Sequence, residues 1–242
     1  MRFRWLVAGC LLPLAASAQD GAPQAPARAD DTDVVKVQGL RNPELKSYRT
    51  MLKGNAAFER MHALAPLASL HYVLLAREPG QSMADLVLRI AGGELSVPVE
   101  LDQEARFSLP VIAPLADADA DLILNRKRSS VTWRPDIRSP GVPAGFRRLG
   151  DLRLECEVRW AVDYEDVIFV QRQAFNALGG PCGSSLVNTH FLASRKLKSV
   201  VLRRGDQAVE LSVARNGWSF VPPLHDKTLS DDTLLEMRYD GR

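Results

Sequence analysis

Short apolar runs separated by turn residues constrain the fold of this chain more than any other feature. After Pro66 these runs are 70–76, 86–90, 95–99, 106–109, 121–124 and 130–133. The second half continues with 200–203, 208–213, 218–221 and 234–239. Separators such as Gly92-Gly93 and Asn216-Gly217 are typical of tight hairpin turns. Runs of this length and spacing predict a mainly β chain built from two small antiparallel β-sandwich modules, Ig-like or transthyretin-like.

Helical signals are confined to two segments, on either side of one strongly alternating segment. Asn42-Pro43-Glu44 has the residues that begin a helix, and an apolar stripe continues to Pro66, so we predict an N-terminal α-helix there. Residues 152–160 alternate apolar and charged, which predicts a strand with Cys156 on its core-facing side. For 164–178 two interpretations remain open, a helix that ends at Gly179 or a strand over 167–170.

The two halves repeat a pattern of residues. Val87-Leu88-Arg89 leads through Phe107 and Pro110 to the strand at Asp121, as Val201-Leu202-Arg203 leads through Phe220 and Pro222 to the strand at Asp232. Such similarity indicates either duplicated β modules or two sandwiches that obey the same turn rules.

The N-terminus has the pattern of a secretory signal peptide over residues 1–18. Arg2 and Arg4 precede an apolar run, and Ala16-Ser17-Ala18 fits signal peptidase, so we expect cleavage before Gln19. A competing interpretation is a lipobox that ends at Cys10, which would become the lipidated first residue, but only nine residues precede it. No later stretch predicts a transmembrane segment. We expect a periplasmic or secreted protein.

The mature chain divides into four predicted segments. Residues 19–33 lack large apolar side chains and predict a disordered leader. Residues 34–136 carry a short strand over 34–37, the N-terminal helix and the first β module. Residues 137–146 are rich in Pro and Gly and predict a linker, and 147–242 form the second β module with a disulfide.

Only Cys156 and Cys182 remain after cleavage. Two cysteines in an oxidising compartment more often pair than stay reduced, so we predict a disulfide between them. The rival interpretations, a metal site or a nucleophilic thiol, lack partners, because there is no CxxC and the four histidines do not have metal-ligand spacing. Asp117, Asp119 and Asp121 begin like a calcium loop, but the glycine and glutamate of that loop are missing. We therefore expect no metal and no cofactor.

Signal cleavage leaves 29 basic and 29 acidic residues, so the mature chain is formally neutral. This balance argues against a nucleic-acid binder. Basic clusters are predicted to be charges at strand ends and in loops, or, if they converge, a site for a glycan, a phosphate-bearing lipid head group or a cell-wall polymer. These clusters are Arg126-Lys127-Arg128, Arg147-Arg148, Arg195 to Lys198 and Arg203-Arg204.

No catalytic residue is assigned from the sequence. It contains no Gly-x-Ser-x-Gly, HExxH or glycine-rich phosphate motif. The sequence favours an exported, non-catalytic binding or assembly protein of the bacterial cell envelope, with an envelope protein or glycan as partner. The alternative is an envelope hydrolase whose site is assembled from distant residues. The first candidates for that site are Asp163, Glu165, Asp166, Ser184, Ser185 and His190.

Overall fold

The structure, a computed structural model, describes residues 41–78, 80–205 and 207–241. The signal peptide, Cys10, the leader and the strand expected over 34–37 lie outside the described residues. The first half contains β1 (Pro43–Ser47), α1 (Tyr48–Met61), β2 (Ser69–Ala76), β3 (Leu88–Gly92), β4 (Leu95–Val99), β5 (Arg106–Phe107), α2 (Ala113–Ala116), β6 (Asp121–Lys127) and β7 (Val131–Arg138). A single 3-10 turn, His62–Leu64, follows α1.

The second half begins after a short loop. It contains β8 (Phe146–Arg148), α3 (Leu149–Asp163), α4 (Phe169–Ala177), β9 (Phe191–Leu192), β10 (Leu197–Arg204), β11 (Gln207–Glu210), β12 (Ser219–Phe220) and β13 (Leu234–Tyr239). The chain is thus mainly β, with several antiparallel sheets and four helices among the described residues. None of the helices in the described part of the chain is both long and apolar enough to cross a membrane.

The two halves share one strand order. The first four-stranded sheet runs β1-β6-β3-β4, and the second runs β8-β13-β10-β11. In each half a long helix directly follows the first strand, and a smaller sheet lies outside the four-stranded one, β5-β2-β7 in the first half and β12-β9 in the second. The repeated residue pattern of the sequence therefore corresponds to a repeated topology.

Equivalent glycines close the equivalent hairpins. Gly93 between β3 and β4 and Gly205 between β10 and β11 both have φ of +58°. A left-handed backbone at the tip of a two-stranded hairpin matches the twist of the strands, and glycine adopts it without strain.

Helix α1 begins later than predicted. Asn42-Pro43-Glu44 was expected to start it, but Pro43–Ser47 is strand β1, paired antiparallel with β6. The carboxylate of Glu44 accepts hydrogen bonds from the Ser129 amide and from Nε1 of Trp133 at 3.2 Å. Pairing with distant residues therefore overrides the local helix-start signal, and Ser47 becomes the N-cap.

The predicted strand at 152–160 is wrong, because these residues belong to helix α3. A strand would have placed its charges in solvent, but Asp151, Arg153 and Glu155 are buried and hydrogen-bonded to other parts of the chain. A helix buried on all sides loses the one-sided stripe by which helices are recognised. The alternation of apolar Leu152, Leu154 and Cys156 with charged residues therefore does not exclude a helix, because both kinds of residue are buried here.

Helix α3 supplies side chains to both hydrophobic cores. Leu154, Val158 and Val162 pack into the core of the first half. Leu149, Leu152 and Cys156 pack into the core of the second half. The division at the predicted linker 137–146 stays a prediction, and within that range Ile137 and Arg138 end β7 while Phe146 begins β8.

The open choice at 164–178 is decided in favour of helix. Residues Phe169–Ala177 form α4, and the strand alternative over 167–170 is wrong. The helix has no buried residue, and it ends before Gly179, which has φ of +79°.

Candidate anion-binding cleft

The three-stranded sheet β5-β2-β7 has two chemically different faces. On one face Tyr72 and Phe107 lie opposite each other and pack in the first core. On the other face Val73 is paired with Arg106 of β5 and Arg134 of β7. Because side chains alternate along a strand, both arginines project from the face that points away from the core.

This outer face forms one wall of a cleft of about 200 Å³ against the second half of the chain. The opposite wall is supplied by β8, β9, β12 and β13 through Phe146, Phe191, Phe220 and Tyr239. Five arginines and three carboxylates line the cleft: Arg106, Arg134, Arg138, Arg147 and Arg159, with Glu104, Asp136 and Glu155.

Arg106 and Arg138 are matched by acids. Nε of Arg106 donates to Asp102 at 2.8 Å, and its Nη1 lies 3.6 Å from Asp136. Nε of Arg138 donates to Asp136 at 2.9 Å. These two guanidinium groups therefore add little net positive charge to the cleft.

Arg147 and Glu155 form a buried ion pair at the edge of β7. The Glu155 carboxylate accepts from the Ile137 amide at 2.9 Å, and Arg147 donates both to Glu155 and to the Ile137 carbonyl. The pair satisfies backbone groups that a further strand would otherwise bond. Burial raises the pKa of Glu155 to about 7 against the lowering effect of Arg147. Burial alone would lower the pKa of Arg147, but the Glu155 and Asp136 charges raise it.

Arg134 differs from these arginines because its charge is poorly matched. Its Nη1 donates to the Trp133 carbonyl at 2.7 Å, and its buried Nε, like that of Arg147, has no hydrogen-bond partner among the described residues. Its carboxylate contact is Asp163, at 3.9 Å. Burial, together with the neighbouring Arg159 charge, lowers the pKa of Arg134 to about 10. An anion beside this guanidinium would relieve both effects.

The Asp163 carboxylate is shared by several cations. Its carboxylate lies 3.5 Å from Nε of Arg159 and 3.6 Å from Nζ of Lys46, in addition to Arg134. Lys46 also pairs with Asp166, at 2.7 Å, but Arg134 and Arg159 share the single Asp163 carboxylate, so positive charge remains where these two arginines meet. Arg159 is held in place by a bond from its Nη1 to the His190 carbonyl at 2.9 Å.

The candidate hydrolase residues do not form a nucleophile and base in this structure. Asp166 and Glu165 pair with Lys46 and Lys53 near the surface. The Ser184 hydroxyl accepts from the Leu186 amide, at 3.2 Å. Nδ1 of His190 lies 3.3 Å from the Ser219 hydroxyl, not beside Ser184 or Ser185. Of the six candidates, His190 lines the cleft and Asp163 contacts its arginines.

The acidic turns hold no metal-binding group in the part of the chain that the structure describes. Burial, with a contribution from Asp119, raises the pKa of Asp121. In the equivalent turn of the second half, Asp231 bonds Arg153 at 2.5 Å and Asp232 bonds Arg148 at 2.8 Å. That turn therefore forms ion pairs with α3 and β8. Its acids are not simply solvated charges of an exposed loop.

The basic clusters of the sequence do not form the cleft, except for Arg147. Arg148, expected at a strand end, has a largely buried side chain and bonds the Leu64 carbonyl. Arg203 pairs with Glu236 and Lys196 with Asp240. The decisive residues, Arg134 and Arg159, are single arginines. Extending the strand predicted at 130–133 would have placed Arg134, Asp136 and Arg138 on one face of it. That alternation is the sequence signal that could have identified Arg134.

The cysteines lie where a disulfide is expected. The sulfur atoms of Cys156 and Cys182 are 2.06 Å apart, and the Cα atoms are 5.7 Å apart. Both residues are buried in the second core. A cysteine pair at disulfide distance fits an extracellular or periplasmic protein.

Comparison with known proteins gives no relative from which a function could be transferred. No protein-family model matches the chain, and no curated protein or solved structure matches it either. The functional argument therefore depends on the geometry of the cleft.

Proposed function

We propose that this protein is a non-catalytic binding protein of the bacterial cell envelope, and that it holds an anionic envelope component in the arginine cleft. The observation that carries this proposal is Arg134, a largely buried cation whose Nε has no partner among the described residues. Burying a cation is costly unless an anion and hydrogen bonds compensate it. A carboxylate or phosphate in the cleft supplies both.

The rest of the cleft supports recognition of an anion. Nη1 of Arg134 and Nε of Arg159 approach the same Oδ2 atom of Asp163, at 3.9 Å and 3.5 Å, so the two guanidinium groups are near enough to share one ligand. The matched charges of Arg106 and Arg138 leave the excess charge at one place in the cleft. In this proposal the two halves act as sandwich-like modules whose contact creates the site.

Export is the second part of the proposal. It is supported by the signal-like residues 1–18 and by the cysteine pair. Mass spectrometry of the mature N-terminus tests it. We expect a chain that begins at Gln19. A lipidated Cys10 would contradict cleavage at that site, and an intact Met1 would contradict export.

The binding claim is tested by calorimetric titration of the mature chain at low ionic strength with acetate and with inorganic phosphate. We expect one anion per chain. The Arg134→Gln variant should bind about ten- to hundredfold more weakly, since hydrogen bonds to charged groups contribute about 1.5–3 kcal/mol each. The matched control is Arg128→Gln, an exposed arginine outside the cleft, which should bind as the wild type does. Equal affinity of Arg134→Gln and wild type would overturn the proposal.

A further inference from the structure

A larger groove continues from the arginine cleft. Its volume is about 930 Å³, and it shares Leu75, Glu104, Arg134, Leu192, Ala193 and Ser194 with the cleft. Leu75 lies two residues from Val73 on β2 and is paired with Thr132, so it projects from the same sheet face as Arg134. The groove and the cleft are therefore neighbouring parts of one surface, with Arg134 where they meet.

The walls of the groove are apolar and come from both halves of the chain. Met83, Leu86 and Leu101 contribute from the first half. From the second half, Leu192 and Trp218 face the groove with exposed fractions of 42% and 37%. The Trp218 amide donates to Oδ1 of Asn216 at 3.0 Å, which fixes the turn that presents the indole. An apolar surface with a rigid aromatic anchor favours burial of an apolar ligand.

Apart from Arg134, the charged residues that line the groove are exposed to solvent, as a polar rim is. They are Arg77, Glu78, Asp85, Asp102 and Glu104. A polar rim around an apolar floor is the common arrangement of a binding surface. The volume lies within the range of about 300–1,000 Å³ that small-molecule sites occupy.

From this arrangement we infer that the ligand is an elongated anionic amphiphile, whose apolar chain lies in the groove and whose carboxylate or phosphate meets Arg134. This inference rests on the proposed function, because it assigns the anionic group to the same cleft. Charge complementarity fixes the orientation of the ligand in the groove. The poorly matched cation, Arg134, lies at the end that joins the cleft, and the exposed apolar side chains lie farther along the groove.

A series of straight-chain carboxylates tests the inference. The mature chain is titrated calorimetrically with hexanoate, octanoate, decanoate and dodecanoate, each below the concentration at which it forms micelles. Each added methylene should strengthen binding about fourfold while the groove is filling, because burial of one CH₂ contributes about 0.8 kcal/mol. Alcohols of the same lengths should bind at least tenfold more weakly.

Variants separate the groove from the anion site. Trp218→Ala and Met83→Ala, at residues that line the groove but not the cleft, should reduce the gain per methylene but leave the affinity for acetate and phosphate unchanged. The matched control is Leu186→Ala, a leucine that is 77% exposed and lies outside the groove lining. It should bind the series as the wild type does. To distinguish a lipid head group from a free anion, lysophosphatidic acid and inorganic phosphate are compared, and the lipid should bind more tightly.

Three results would overturn the inference. If affinity did not depend on chain length while Arg134-dependent binding of phosphate persisted, the amphiphile would be refuted and the anion site would stand. If alcohols and carboxylates of equal length bound equally, the groove would not orient its ligand by charge. Absence of binding by short and long anions alike would refute the proposed function as well.

Discussion

Gly54 of α1 packs closely against helix α3 of the second half and against Tyr72. A Cβ atom at this position would lie against the hydroxyl of Tyr72 and 2.7 Å from Cγ2 of Val162 on α3. Tyr72 is fully buried, and its hydroxyl donates to the Met51 carbonyl and to Oδ1 of Asn55, both at 3.2 Å. The neighbours of Gly54 are therefore held in place and cannot move aside at low cost.

The Gly54→Ala substitution tests this contact. Replacing glycine by alanine inside a helix contributes about 1 kcal/mol of stability from propensity alone. Overpacking a rigid site costs roughly 1–3 kcal/mol, and here two neighbours must shift. We expect a net loss of up to about 2 kcal/mol in the free energy of unfolding. Urea denaturation followed by tryptophan fluorescence measures it, provided that the slope m is unchanged.

Two further variants make this prediction specific. Ala56→Gly, at an exposed position of the same helix, should lose about 1 kcal/mol, so that alanine is preferred at 56 and glycine at 54. Tyr72→Phe removes the hydroxyl that the new methyl group would meet. Gly54→Ala and Tyr72→Phe together should therefore be less destabilising than the sum of the two single effects. A stabilising Gly54→Ala, or additive effects of the pair, would refute the close approach of the helices.

Two other predictions concern stability. Reduction of the bond expected between Cys156 and Cys182, separated by 26 residues in sequence, should lower the free energy of unfolding by about 3–4 kcal/mol in the chain-entropy model, measured in urea with and without dithiothreitol. The Cys156→Ala/Cys182→Ala variant should not respond to dithiothreitol, and an equal response would contradict the pairing. Burial raises the pKa of Glu155 from an ordinary 4.5 to about 7, so the stability that its neutral carboxyl contributes is complete below pH 4.5 and is lost as the pH rises through 7. Glu155→Gln should flatten that decline, and an unchanged pH profile would show that Glu155 is not its source.

Local residue patterns predicted the strands well because their determinants are local. Each apolar run between turn residues corresponds to a strand, and the bounds of 95–99 match β4. The repeat from Val87 and from Val201 corresponds to the shared strand order. Turn glycines and apolar runs determine structure over only a few residues. The information needed to predict a strand is therefore present in the sequence around it.

The wrong secondary-structure predictions lie where contacts with residues distant in sequence determine the structure. The helix-start signal at Pro43 yields to pairing of β1 with β6, more than 70 residues away. Helix α3 resembles a strand in sequence because the partners of Asp151, Arg153 and Glu155 lie on other elements. The cleft was missed for the same reason. Nothing near Arg134 in sequence indicates that its charge is left poorly matched, since Arg159 and Asp163 come from α3.

The most direct test of the central claim observes the Arg134 guanidinium itself. In ¹⁵N-detected NMR spectra of the mature chain, the Arg134 Nε–H resonance is assigned by its loss in Arg134→Gln, and phosphate or decanoate is added. We predict that this resonance shifts with saturation as the ligand binds, while that of Arg138, already bonded to Asp136, moves little. An Arg134 resonance that stays unchanged while ligand binds elsewhere would contradict the account.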